Sequence, residues 1–95
     1  MFEVHPGSIL KEELEARNMS GNALALALRI NSGRVSEILN ERRAISPDTA
    51  LRLGRYFGND PQFWLSLQSA FDLAVAEREN GDKISREVIP AQSAA

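Results

Sequence analysis

Apolar residues recur at helical spacing along most of the chain, and N-cap residues and prolines mark where each helix begins. The spacing predicts five helices and no strand. The first helix runs from about Pro6 to Arg17, since proline is favoured at the first helical position. The next three open at Ser20, Asn31 and Ser46, where a side-chain oxygen accepts a hydrogen bond from a free backbone N–H. A fifth extends from about Pro61 to Glu79, so the sequence predicts an all-α fold.

The helix ends are marked less clearly than the starts. We expect the third helix to end near Asn40 and the fourth to stop at Gly58. Beyond Asn80-Gly81 the helical pattern weakens, and the last residues are small and polar. We therefore divide the chain into a folded domain, residues 1–80, and an extended C-terminal tail, residues 81–95, that is partly ordered at most.

The second and third helices have the apolar spacing of a helix-turn-helix. Leu24, Ala25 and Leu28 fall on one face of the second helix, and Val35 and Ile38 form the inner face of the third. Two helices cross steeply only where a small residue lies at the crossing, and Ala25 is placed to provide it. The third helix would then lie across the front of the domain with its outer face free to enter a DNA major groove.

The outer face of the third helix carries the residues that we expect to read DNA bases. These are Ser32, Gly33, Arg34, Ser36 and Glu37. Arg34 can donate two hydrogen bonds to guanine, Ser36 can donate or accept, and Glu37 can accept from cytosine. Gly33 has no side chain to contribute but allows a close approach of the backbone.

Residues just past this helix are suited to phosphate contacts that set the register on DNA without reading its sequence. They are Asn40, Arg42 and Arg43. In an alternative interpretation, Arg34 merely pairs with Glu37 three residues further on, and the rest of the face is ordinary solvated surface.

The fifth helix carries apolar residues well beyond a single stripe. A helix that is apolar nearly all round needs burial on more than one side, so one side can cover the helix-turn-helix while another needs a partner. We predict a homodimer or partner seam at Trp64, Leu67, Phe71 and Val75. Alternatively, the large residues simply complete the core and the alanines are surface.

Composition adds a charge asymmetry. The 95-residue chain carries a net charge of −2, yet the segment from Arg29 to Arg55 has a local balance of +3, with six arginines against three acids. A basic face on an acidic body can bind phosphate, because screening confines the relevant field to roughly 8–10 Å. No cysteine is present, no apolar run approaches a bilayer span, and the N-terminus lacks the features of a signal peptide, so we expect a cytoplasmic protein.

Few residues of the sequence stand in an arrangement that could catalyse a reaction or bind a metal. His5 is the single histidine and has no second ligand nearby, so we expect a surface or capping residue rather than a metal ligand. The serines lack a base in a triad arrangement, and the acids of the first helix do not face one another across a cleft. We predict no catalytic site, no metal, no cofactor and no enzymatic activity.

Three short motifs and the helix-turn-helix, taken in order, resemble a known family. His5-Pro6-Gly7, the segment Arg42–Leu53 and the segment Asp60–Gln68 are similar to those of the HigA-type antitoxins, within the wider Xre/Cro group of lambda-repressor-like domains. The resemblance covers roughly residues 4 to 80. It implies a homodimeric repressor that binds the operator of its own toxin–antitoxin operon and neutralises a HigB-like toxin, a RelE-like ribonuclease that cleaves mRNA.

The resemblance places the eight residues named above in the same base-reading and backbone roles, with two departures. Arg29 stands where the turn often has glycine, and a positive φ there would cost an arginine roughly 1 kcal/mol or more. Gly33 removes a base contact. Two alternatives stay open: a stand-alone Xre-type repressor without a toxin, and a module that sequesters a protein partner and has little DNA affinity.

Overall fold

The computed structural model describes residues 3–92, and within them the fold is all-α, as predicted. Its helices are α1 (Pro6–Ala16), α2 (Gly21–Leu28), α3 (Ser32–Leu39), α4 (Pro47–Phe57) and α5 (Pro61–Glu87). α2 packs on α3 and α4, α1 packs on α3, and α5 packs on α4 and α1. α3 is therefore held from behind by α1 and α2, and its outer side is left uncovered.

The predicted helix starts are confirmed by their caps. Ser20 accepts a hydrogen bond from the backbone N–H of Ala23, and Asn31 accepts one from Gly33 at 2.6 Å. Ser46 caps α4 in the same way. At its other end, α4 stops at Gly58, whose φ of 76° lies in the left-handed region that glycine adopts without strain.

α5 is longer than the sequence indicated: the expected end near Glu79 is wrong, and the helix continues to Glu87. Helices commonly end where a glycine or an asparagine takes a left-handed φ, and neither Asn80 nor Gly81 does so. Gly81 therefore stays helical at a cost of roughly 1 kcal/mol. Residues 81–87 of the expected tail belong to α5, and residues 93–95 lie outside the described part of the chain.

The core lies between all five helices and is almost fully removed from water. Leu24, Ala50 and Leu53 are completely buried, and Ala25 is 3% exposed at the crossing of α2 and α3. The remaining large buried apolar side chains are Leu10, Leu14, Leu28, Val35, Ile38, Ile45 and Trp64. Each such side chain contributes about 1.5–3 kcal/mol by leaving water, which makes this cluster the main source of stability.

The start of α1 packs very closely against the end of α3, and a glycine makes this approach possible. A β-carbon built on Gly7 would lie 1.9 Å from the carbonyl oxygen of Ile38, so no other residue fits without moving one of the two helices. His5 caps α1, because its Nδ1 accepts a hydrogen bond from the Gly7 N–H at 2.8 Å. Its ring is buried and lies edge-on to Phe71 of α5, with the ring centroids 4.9 Å apart. The capping role predicted for His5 is confirmed, whereas a surface position is not observed.

Two further contacts tie the chain to α5. The side chain of Gln68, 6% exposed, accepts a hydrogen bond from the Ile45 N–H at 2.8 Å and donates one to Asp72 at 3.0 Å. The segment between α3 and α4 is thus attached to α5. Near the N-terminus, Arg78 donates a hydrogen bond to Glu3, and this bond lowers the pKa of the Glu3 carboxyl below its ordinary value.

Residues 3–92 contain neither a metal-binding cluster nor a membrane-spanning helix. Nowhere do three histidine, cysteine or acidic side chains come together as metal ligands would. None of the helices combines the length and the apolar character needed to cross a bilayer.

Candidate nucleic-acid interface

The orientation of α3 is fixed by its two inward aliphatic residues. Val35 and Ile38 are each 1% exposed, as the helix-turn-helix pattern requires. Because successive helical residues turn by about 100°, burying these two directs Gly33, Ser36 and Glu37 to the opposite side. Ser36 and Glu37 are exposed. The α3 face predicted to read bases is therefore open to solvent.

The turn between α2 and α3 contains the strained arginine expected from the sequence. Arg29 has φ 59° and ψ 43°, a left-handed conformation that costs an L-residue about 1–2 kcal/mol. The N–H of Ile30 donates to the carbonyl of Ala25 at 3.1 Å, which closes the end of α2. Asn31 then caps α3 at once, so a three-residue turn sets the angle between the two helices.

Asn40 was predicted to contact phosphates from a position just past α3. In the structure it lies on the same side of α3 as Ser36 and Glu37. It is the C-cap of α3, it is exposed, and its Nδ2 lies 3.5 Å from the Ser36 hydroxyl. Ser36, Glu37 and Asn40 therefore form one continuous polar strip, which we call the α3 strip.

Ser32 lies at one edge of α3, where a groove separates α3 from the start of α2. Lys11 of α1 and Asn22 of α2 line the same groove, together with Ser36 and Asn40. Sequence reasoning missed Lys11 and Asn22, because they join this surface only through the packing of α1 and α2 against α3. They add a cation and an amide to the edge of the α3 strip.

Arg34 lies at the other edge of α3 and turns towards α4. Its Nη1 and Nη2 donate to one carboxylate oxygen of Asp48, at 3.3 and 3.2 Å, and its side chain is 25% exposed. The alternative pairing with Glu37 is not observed. Glu37 instead pairs with Arg43, whose Nε lies 3.2 Å from its carboxylate.

The two arginines that follow α3 differ in their surroundings. Glu41 takes a left-handed φ of 61°, and the N–H of Arg42 donates to the carbonyl of Glu37 at 2.8 Å, so the chain turns sharply beside the α3 strip. Arg42 is exposed and makes no ion pair within residues 3–92, whereas Arg43 is held by Glu37. Arg42 is thus the freer cation for a phosphate.

The residues predicted as a seam on α5 do not share one environment. Trp64 is 2% exposed, and its indole N–H donates to the Asn59 side chain at 3.2 Å, so it belongs to the core and offers no surface to a partner. Leu67, Phe71 and Val75 are half-buried. The well-exposed large apolar residues of α5 are Phe63, Leu73 and Ile84, at 44%, 62% and 51%. Apolar composition alone did not separate these three groups.

Comparison with known proteins agrees with this geometry. A family model described as helix-turn-helix matches residues 10–64. Virulence-associated protein I of Dichelobacter nodosus is 52% identical over 80 residues, which span 83% of this chain and 74% of that protein.

Two solved structures superpose closely on this one. The addiction module antidote protein of the HigA family from Coxiella burnetii has a TM-score of 0.93 and 50% identity, over 96% of this chain and 100% of that one. The Pseudomonas aeruginosa antitoxin HigA, solved with the higBA promoter, has a TM-score of 0.93 and 44% identity over the same shares of the two chains. The chain therefore belongs to the helix-turn-helix family, among its HigA-type antitoxin members.

Proposed function

We propose that this protein is a DNA-binding antitoxin that, as a homodimer, recognises the operator of its own operon and represses it. The observation that carries the proposal is the orientation of α3, with Val35 and Ile38 buried and the polar α3 strip open. Further support comes from the similarity to an antitoxin whose structure contains promoter DNA. We also propose that the protein is a binding protein and not an enzyme, and that it works in the cytoplasm, where its DNA target lies.

In the proposed complex, α3 lies in the major groove and the α3 strip faces the bases. Ser36 and Glu37 offer a hydroxyl and a carboxylate to base edges, Arg34 offers donors from the flank, and Gly33 lets the backbone come close. Ser32 completes the base-reading set at the edge towards α2. Arg42 and Arg43 contact the phosphates and set the register, and Asn40 lies at the end of the α3 strip next to them.

The proposed homodimer would place two α3 helices about 34 Å apart, facing successive major grooves of a pseudo-palindromic site. α5 supports this arrangement, because it exposes Leu73 and Ile84 although each is a large aliphatic side chain. Among the residues first predicted for the seam, Leu67, Phe71 and Val75 remain candidates at its margin, and Trp64 acts only by supporting the core.

The protein partner that we propose is a HigB-like toxin, an mRNA-cleaving ribonuclease of the RelE-like class. The support is the similarity to an addiction module antidote protein over nearly the whole chain. Co-expression with the product of the adjacent gene, followed by co-purification and an mRNA-cleavage assay, tests this part. A stable complex without ribonuclease activity is the expected result. Free toxin beside free antitoxin, or no toxin gene next to this one, would contradict it and leave a stand-alone repressor.

The DNA-binding part is tested by measuring affinity for the duplex upstream of the gene and for a scrambled duplex of equal length. We expect a clear preference for the upstream duplex and a steep loss of affinity with added salt. Arg34→Ala should lower the free energy of discrimination by about 1–3 kcal/mol at one base pair, while the discrimination at other base pairs is kept. Equal affinity for both duplexes, or binding that salt does not weaken, would show that the operator proposal is wrong.

A further inference from the structure

Arg34, the arginine of the base-reading set, is not free in this structure. Its Nη1 and Nη2 both donate to a single oxygen of Asp48, which lies fourteen residues away in the first turn of α4. With 25% of its surface exposed, the Arg34 side chain is held along the edge of α3. Asp48 therefore sets where this guanidinium lies before any DNA arrives.

Asp48 is itself fixed by a second arginine. Arg52, one helical turn further along α4, donates from Nε to the same Asp48 oxygen at 2.9 Å. Its Nη1 donates to the carbonyl of Leu28, the last residue of α2, also at 2.9 Å. The network joins α2, α3 and α4, and its two arginines against one acid leave it with a net positive charge.

Asp48 does not use all of the N–H donors of Arg34, so some are left to bind DNA. A guanidinium has five N–H donors, and the contact with Asp48 occupies one on each terminal nitrogen. The Nε–H and the outer hydrogen on the neighbouring nitrogen form a second edge that can still bind two acceptors in one plane. Arg34 can therefore contact a base or a phosphate without releasing Asp48.

We propose that Asp48 is a positioning residue for operator recognition: it holds the guanidinium of Arg34 at the edge of α3 so that one edge of that group faces the DNA. Its favourable effect falls on the discrimination between sequences. Overall affinity is in fact lowered by Asp48, because a carboxylate near the phosphates repels them. This inference rests on the proposed operator binding, and it identifies Asp48 as a residue that increases the sequence selectivity of that binding.

Asp48→Asn tests the inference, because it keeps the shape of the side chain and removes the charge. Affinities are measured at one salt concentration for the operator, for each operator variant with a single changed base pair, and for a scrambled duplex. We expect tighter binding to the scrambled duplex and an operator-to-scrambled ratio that falls by about three- to tenfold. The loss should concentrate at the base pair that Arg34→Ala also affects.

Glu41→Gln is the matched control. Glu41 is an exposed acid directly after the α3 strip and makes no ion pair within residues 3–92, so its removal changes the charge equally without touching Arg34. It should tighten binding to both duplexes and leave their ratio unchanged. In an Arg34→Ala background, Asp48→Asn should no longer change the base preference. Thermal melting of each variant verifies that the fold is retained.

The outcomes separate this inference from the proposal on which it rests. A wild-type protein with no preference for its upstream DNA overturns both. A wild-type protein that prefers its operator, combined with an Asp48→Asn variant that keeps the full ratio, overturns the positioning role alone. The same holds if Asp48→Asn and Glu41→Gln reduce the ratio equally, since the effect would then be one of net charge.

Discussion

α3 and α5 both present one side to the core, but they differ in what they leave outside. On α3, the two inward aliphatic residues are buried and the α3 strip is wholly polar. On α5, a polar residue, Gln68, is buried while the aliphatic Leu73 and Ile84 are exposed. The contrast separates two kinds of surface: α3 offers hydrogen-bonding groups suited to base edges, and α5 offers apolar area suited to a protein.

The largest expected effect concerns the support of α3. Gly7→Ala should destabilise the fold by about 3 kcal/mol or more, because the added methyl would collide with the Ile38 carbonyl and push α1 away from α3. Thermal or urea unfolding measures the loss. Gly81→Ala on α5 is the control. Its β-carbon would lie 3.3 Å from a flexible Glu77 side chain, so we expect no loss, or a gain of up to about 1 kcal/mol. Equal losses in the two variants would contradict the close packing of α1 on α3.

The next effect concerns the apolar side of α5. Leu73→Glu should raise the dimer dissociation constant at least tenfold, since it places a charge in the proposed seam, and should weaken operator binding with it. Leu51→Glu on α4 is a matched control, because Leu51 and Leu73 are both 62% exposed. Sedimentation and circular dichroism report the oligomeric state and the retained helices. A dimer unaffected by Leu73→Glu, or disrupted equally by Leu51→Glu, would exclude this side of α5 as the seam.

A smaller effect is expected beside the α3 strip. Arg42→Ala should weaken binding to operator and scrambled duplexes alike, and should reduce the slope of log affinity against log salt by about one, because one phosphate contact is lost. Arg55→Ala on α4 removes the same charge further along the chain and should change the slope less. Titrations at several salt concentrations measure both. A sequence-dependent loss from Arg42→Ala would mean that Arg42 reads bases.

The smallest effect concerns the turn before α3. Arg29→Gly should stabilise the protein by up to about 1 kcal/mol, because glycine adopts the left-handed conformation at Arg29 without steric cost. Urea unfolding is sensitive enough to detect the change. Unchanged or lower stability would argue that the arginine side chain offsets its own strain through contacts at the surface.

The sequence predicted the helix starts, the turn and the orientation of α3, because each depends on local chemistry. Ser20, Asn31 and Ser46 cap their own helices, and Val35 and Ile38 point inward by spacing alone. These features need no knowledge of distant residues.

Features that depend on distant partners were not predictable in this way. The pairing of Arg34 with Asp48, the burial of Gln68 against Ile45 and the place of Lys11 beside α3 all join residues far apart in the chain. The helix end at Glu87 was missed because Gly81 interrupts the apolar spacing of α5 but does not take a left-handed φ that would end the helix.

Glu37 is the charged residue of the α3 strip, so the variant Glu37→Gln gives the sharpest test of whether this strip reads bases. Binding is measured for the wild type and for this variant against operator duplexes in which each base pair is changed in turn. We expect the variant to lose about 1–3 kcal/mol of discrimination at one base pair and to keep it elsewhere. An unchanged profile, with operator preference intact at every base pair, would contradict it.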